Sequence, residues 1–311
     1  MARSATGAHE RLLAGSRVVS VALVFPGQGS QRPGMGAPWR DTPGWSLVEQ
    51  ASDALGRDLG RLLLDADAEE LRATREAQVA TFLTSLLAHA ALPPLEVSVV
   101  AGHSLGELTA LVVAGVLTPD DGLHLVAERG EAMQAAADAA PGTMAAVLGL
   151  EDAEVERVLD DVEGAWPANF NAPSHVVVSG TPDGVAAAGE ALKAAGARRV
   201  LPLPVGGAFH TPLMEPARER LDRALRTVRW LDPVLPALSA VTATPYARDW
   251  PDVLSRQLTA PVRWRQTVEA LGDVDTVVEV GPGGVLTGLV KRCRHDVRTT
   301  TVATPDDLEE L

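Results

Sequence analysis

The sequence predicts a two-part α/β fold: a large domain built on a parallel sheet, with a small ferredoxin-like βαββαβ domain inserted into it. Three observations carry this expectation. Apolar, β-branched runs at 18–25, 97–102 and 274–284 lead into glycines, as buried parallel strands do, and helical stretches separate them. Between 143 and 203 the order changes to strand, helix, strand, strand, helix, strand. Finally, "AAPG" (139–142) and "LPLPVGG" (201–207) bracket that middle segment with residues that break regular structure.

Taken in order, residues 1–17 carry charges of both signs and no long apolar centre, so they read as a disordered leader and not as a signal peptide. "VVSVALVF" (18–25) is a buried strand stopped by Pro26 and Gly27, and "VSVVAG" (97–102) is a second. Helices are expected at 76–91, 105–115 and 120–137, the last running on through the alanine-rich 131–140. The middle unit reads as strand 144–150, helix 151–160, strands 165–169 and 175–179, helix 183–196 and strand 198–203. The resulting division is a large catalytic domain of 18–140 and 206–303, interrupted by a small domain of 141–205.

Composition excludes several classes. With 46% hydrophobic and 22% charged residues the chain is globular in character, and no apolar run reaches the ~18 residues of a membrane span. Cys293 is the only cysteine, which rules out an internal disulfide or a cysteine-rich zinc site, and the seven histidines show no metal-binding spacing. A net charge of -14 disfavours nucleic acid as a partner. A cytoplasmic monomer with no metal and no permanently bound cofactor is expected.

Gly102-His103-Ser104-Leu105-Gly106 fits G-x-S-x-G between a buried strand and an amphipathic helix. In that setting, known from α/β-hydrolase-like domains, a serine sits on a strained elbow with its hydroxyl exposed. The plainer alternative is a hydroxyl that caps the following helix. A nucleophilic serine needs a base, and His210, in the glycine-rich loop "GGAFHTPLM", is the best candidate. His103 adjoins the serine but should point away from it, into a packing or hydrogen-bonding role. "FPGQGSQ" (25–31) lacks the lysine of a phosphate loop; beside Ser104 it could instead supply oxyanion donors if the two strands are neighbours.

Six stretches in order, "FPGQGSQ" (25–31), "GHSLGE" (102–107), "ERG" (128–130), "GAFHTPLM" (207–214), "RQLTAPVRW" (256–264) and "VGPGGVLTGLVKR" (280–292), resemble the malonyl-CoA:acyl carrier protein transacylases. The acyltransferase domains of polyketide and fatty acid synthases belong to the same family. The resemblance implies that Ser104 is acylated, that His210 is its base and that Gln257 orients His210 through its main-chain carbonyl. It also implies an oxyanion hole from Gln28 and the backbone N–H of Leu105. Arg129, which by itself reads as a surface residue of the 120–137 helix, becomes the clamp for the malonyl carboxylate, a task suited to a planar guanidinium.

The resemblance further implies ping-pong transfer of malonyl from malonyl-CoA to the phosphopantetheine thiol of an acyl carrier protein, with the CoA thioester a substrate and not a cofactor. Phe209 should crowd the space that an α-methyl group would need, and Leu105 in place of glutamine points the same way, toward malonyl. Gly207 departs from the family's leading histidine, while Ser239 in "LSAVTAT" resembles the polyketide version and suggests a discrete, trans-acting enzyme. Both substrates are anionic, so positive charge near the cleft is expected from Lys193, Arg198 and Arg199, and from Lys291, Arg292 and Arg294. Competing readings are a serine esterase or thioesterase, a transacylase that loads a malonate decarboxylase or moves another acyl group between carriers, and a non-enzymatic carrier-binding module.

Overall fold

The computed structural model describes residues 19–246 and 248–311; the expected leader at 1–17 lies outside them. Along the chain run β1 (Val21–Phe25), α1 (Ser46–Leu55), α2 (Leu59–Asp65), α3 (Thr74–Ala90), β2 (Val97–Gly102), α4 (Gly106–Val113) and α5 (Pro119–Ala139). Then follow β3 (Thr143–Leu148), α6 (Asp152–Leu159), β4 (Ala165–Ala172), β5 (His175–Gly180), α7 (Pro182–Ala194) and β6 (Arg199–Pro202). The chain closes with α8 (Glu215–Leu225), β7 (Ala237–Leu238), α9 (Trp250–Gln257), α10 (Trp264–Glu269), β8 (Thr276–Val280), α11 (Val285–Cys293) and β9 (Arg298–Val302).

A five-stranded sheet in the order β7-β2-β1-β8-β9 is parallel throughout. β1 is buried at every position, which is why its sequence is continuously apolar and not alternating. α5 and α7 start at side-chain caps: Thr118 accepts from the Asp121 N–H ahead of Pro119, and Thr181 accepts from the Gly184 N–H ahead of Pro182. Two strands were not anticipated. β7 has only two residues, and β9 (RTTTV) is a partly exposed edge strand whose threonines do not stand out as a buried run.

The second sheet, β4-β5-β3-β6, is antiparallel. One face, with Val147, Val176 and Val178, buries against α6 and α7 through Val155, Val185 and Leu192. Side chains alternate across a strand, so Met144, Ala146, His175 and Val177 occupy the other face and look toward the large sheet. β4 extends three residues past the expected end because register shifts at Pro167/Asn169 and Phe170/Ala172 let it carry a proline and two asparagines within the pairing. Its Asn169 bridges to Val262, tying the small sheet to the segment before α10.

Candidate active site

β1 and β2 are neighbours, with Phe25 opposite Gly102, so the loops leaving both strands meet at the carboxyl edge of the large sheet. The elbow between β2 and α4 is too tight for side chains. A Cβ on Gly102 would lie 1.9 Å from the Gly106 carbonyl carbon, and one on Gly106 would lie 2.0 Å from the Phe25 oxygen. Ser104 between them adopts φ 53°, a left-handed conformation that costs a non-glycine residue about 1–2 kcal/mol. It does not cap α4, whose N-terminus has no side-chain cap. Its Oγ instead donates to His210 Nε2 (2.8 Å) and accepts from Arg129 Nη2 (3.0 Å).

His210 also sits at positive φ (62°), and its Nδ1 donates to the Gln257 main-chain oxygen at 2.8 Å. That bond selects the tautomer with a free lone pair on Nε2, facing Ser104. Burial, reinforced by the Arg129 charge, lowers the His210 pKa to about 3, so the ring is neutral and able to accept a proton at physiological pH.

Arg129 is 2% exposed, a buried residue of α5 and not a surface one. Nη1 donates to Gln78 Oε1 (2.7 Å) and Nη2 to Gln257 Oε1 (2.8 Å) as well as to Ser104. Among the described residues no carboxylate forms an ion pair with it. Burial lowers its pKa to about 10, against the pull of the Glu107 carboxylate nearby, which still leaves it charged. A buried cation held only by neutral acceptors is costly unless a ligand completes it.

The loop after β1 lies against the elbow, since a Cβ on Gly27 would approach the His103 oxygen to 2.4 Å. The Gln28 side chain turns back to Thr74 Oγ1 (3.5 Å), so the donor that Gln28 can offer to an oxyanion is its main-chain N–H. That N–H and the one on Leu105 have no acceptor among the described residues. His103 points away from Ser104, donating through Nε2 to Asn171 Oδ1 (2.9 Å) and meeting the Trp264 ring edge to face at 5.5 Å.

Gln28, His103, Ser104 and His210 line a cleft of about 280 Å³ between the two sheets, walled by Met133, Met144, Val177 and the 5% exposed Phe209; Arg129 is not part of the lining and reaches the site through its bond to Ser104. The Phe209 ring also accounts for Gly207, where a Cβ would fall 2.4 Å from the ring. A larger cavity, about 650 Å³, opens alongside between Arg72, Arg75, Gln134 and residues 203–206; it shares Leu203 and Val205 with the cleft but none of the reactive groups.

The charged candidates separate. Arg199 pairs with Leu148, in the same row as His175, and so projects from the cleft face of the small sheet. Arg292 on α11 reaches across to His175 Nδ1 (3.1 Å) and the Pro173 oxygen (3.1 Å), and Lys291 is exposed beside it. Arg198 is exposed and lies over Gly149. Lys193 corrects the expectation: it is on α7, behind the sheet, and pairs with Glu190 (2.8 Å). Arg294 is likewise occupied, by Asp296 (2.6 Å) and the Gly272 oxygen (2.8 Å).

Three participants escaped the sequence reading: Gln78, the side chain of Gln257, and Glu107. The only signals were a polar residue within an apolar helix for Gln78 and the last letter of "GHSLGE" for Glu107.

A serine hydroxyl bonded to a neutral imidazole, beside two free main-chain N–H groups, defines the class of enzymes that transfer acyl groups through a covalent ester. The chain belongs to the acyl transferase domain family, which it matches over residues 22–305. It is 40% identical over 304 residues to a malonyl CoA-acyl carrier protein transacylase of Bacillus subtilis, covering 93% of this chain and 95% of that protein. The corresponding protein of Escherichia coli K12 is 41% identical over 285 residues, 87% and 92% of the two chains. A crystal structure of an acyl-carrier-protein S-malonyltransferase from Burkholderia pseudomallei superposes with a TM-score of 0.89 at 39% identity, over 94% of this chain and 98% of that one. A malonyl-transacylase in complex with its type II polyketide synthase acyl-carrier protein gives 0.87 at 37% identity, over 93% and 98%.

Proposed function

We propose that the protein is a malonyl-CoA:acyl carrier protein S-malonyltransferase serving fatty acid or polyketide biosynthesis. Ser104 Oγ attacks the thioester carbonyl as His210 Nε2 takes its proton; the N–H groups of Gln28 and Leu105 hold the developing oxyanion. Collapse breaks the carbon–sulfur bond, His210 returns the proton to the CoA sulfur, and a malonyl ester remains on Ser104. The carrier's phosphopantetheine thiol then attacks that ester, His210 accepting the thiol proton and giving it back to Ser104.

The observation that carries this reading is the buried guanidinium of Arg129, 3.0 Å from the attacking oxygen and without a carboxylate of its own. An esterase or thioesterase has no use for it, and an acyl chain lacking a carboxylate would leave it uncompensated. Incubating the protein with malonyl-CoA, methylmalonyl-CoA or acetyl-CoA, with and without a pantetheine thiol, tests the proposal. Transfer should exceed hydrolysis, and malonyl should be preferred, with Phe209 disfavouring the α-methyl group. Net hydrolysis in the presence of the thiol, or preference for acetyl-CoA, would overturn it.

The element order βαββαβ with sheet order β4-β5-β3-β6 supports a ferredoxin-like small domain of 141–205, set into a hydrolase-like large domain of 18–140 and 206–303. Among the described residues no helix is long and apolar enough to cross a membrane. Arg199, on the cleft face of the small sheet, and Arg292, bonded to the cleft-lining His175, support a dock for an acidic carrier. Reversing both to glutamate should raise the KM for carrier protein about threefold or more over any change for malonyl-CoA, and added salt should shrink the difference. Equal effects on both substrates would remove them as a carrier dock.

A further inference from the structure

Behind Ser104, in the first turn of α4, Glu107 is completely buried. Its Oε1 accepts from the Ala240 N–H (3.0 Å) and from the Tyr246 hydroxyl, and its Oε2 accepts from Gln257 Nε2. Tyr246 is itself fixed by stacking on Trp250, with ring centroids 4.0 Å apart. Gln257 Nε2 also donates to the Ser104 main-chain oxygen (3.1 Å), while its Oε1 accepts from Arg129. In orienting His210, Gln257 uses only its main-chain oxygen.

A primary amide can face either way, and here the two ways are chemically opposite. With its NH₂ toward Glu107 and Ser104, Gln257 meets two acceptors on one side and a guanidinium donor on the other. Reversed, its oxygen would face two oxygens and its NH₂ would face Arg129. Once ionised, above its raised pKa, the Glu107 carboxylate accepts only and dictates the first arrangement.

We propose that Glu107, held by Tyr246, is a positioning residue that fixes the polarity of the Gln257 amide and thereby aims Arg129 at the donor's carboxylate. The inference rests on malonyl transfer being the reaction. Selectivity for a carboxylate-bearing donor is then set partly from behind the serine, by a group that touches no substrate. Glutamine at 107 cannot substitute, because one amide oxygen cannot serve both the Ala240/Tyr246 side and the Gln257 side.

Glu107→Gln is tested by comparing wild type and variant for loading of Ser104 from malonyl-CoA and from acetyl-CoA. The malonyl-over-acetyl ratio of kcat/KM should fall about tenfold, mostly through a higher KM for malonyl-CoA, with acetyl loading nearly unchanged, as expected from weakening hydrogen bonds to a charged group. Equal loss with both donors would show a merely structural role, and an unchanged ratio would overturn the proposal outright. Wild type that does not favour malonyl would instead reject the underlying reaction.

Tyr246→Phe keeps the ring stack and removes one donor, so it reports even if the first variant misfolds. Burial raises the Glu107 pKa to about 7 against the opposing pull of Tyr246, Gln257, the Ala240 N–H and Arg129, whereas His210 titrates near 3. Losing the Tyr246 hydroxyl should move the acid limb of malonyl selectivity to higher pH. A limb that stays in place in Tyr246→Phe overturns the assignment to Glu107.

Discussion

Ser104→Ala should yield no acyl-enzyme when the protein is mixed with malonyl-CoA and its intact mass is measured, and transfer to a thiol acceptor should drop by about 10⁴-fold or more. The alanine inherits the same left-handed backbone, set by the contacts of Gly102 and Gly106, so the fold should survive. What disappears is the hydroxyl bonded to His210 Nε2. His210→Ala should leave comparably little activity, because nucleophile and base act as one unit, and the double variant should be scarcely worse than either. A persistent malonyl adduct on Ser104→Ala would place the nucleophile elsewhere.

The second large effect is expected at Arg129. Arg129→Lys keeps the charge but loses the fork, and its ammonium cannot serve Gln78, Gln257 and a carboxylate together in the same plane. Malonyl loading should fall about 10²-fold or more, on the scale of one to two charge-assisted hydrogen bonds at roughly 1.5–3 kcal/mol each. Arg129→Ala should lose malonyl loading further while accepting acetyl-CoA at least as well as wild type, since a buried cation with no carboxylate bonded to it has been removed from the acyl site. For the same reason its thermal stability should not collapse. The check is a side-by-side rate measurement with both donors; parallel losses would mean that Arg129 supports the fold and not the substrate.

Much of this was legible in the residues. The strands of the large sheet announced themselves because burial on both faces demands uninterrupted apolar runs, and the G-x-S-x-G glycines are there because each lacks room for a Cβ. The edges were harder. β9 is half exposed and β7 is held by pairing rather than composition, so neither leaves a pattern in a short window. At the site, the groups on loops and turns could be named from local motifs. Glu107 and the Gln257 amide could not be joined, since 150 residues separate them and only the packing of α9 against the elbow brings them together. Lys193 failed for a related reason: one helix face cannot be told from another without knowing which side of the sheet it covers.

The partner behind His210 is an uncharged carbonyl, and the imidazole it holds is a feeble base. A thiol, which ionises near pH 8.5, surrenders its proton to such a base far more readily than water, whose pKa is 15.7. On the proposed mechanism the loaded protein therefore tells its two possible acceptors apart by acidity as well as by access. The cargo can wait intact through the interval between the departure of one large molecule and the arrival of the next.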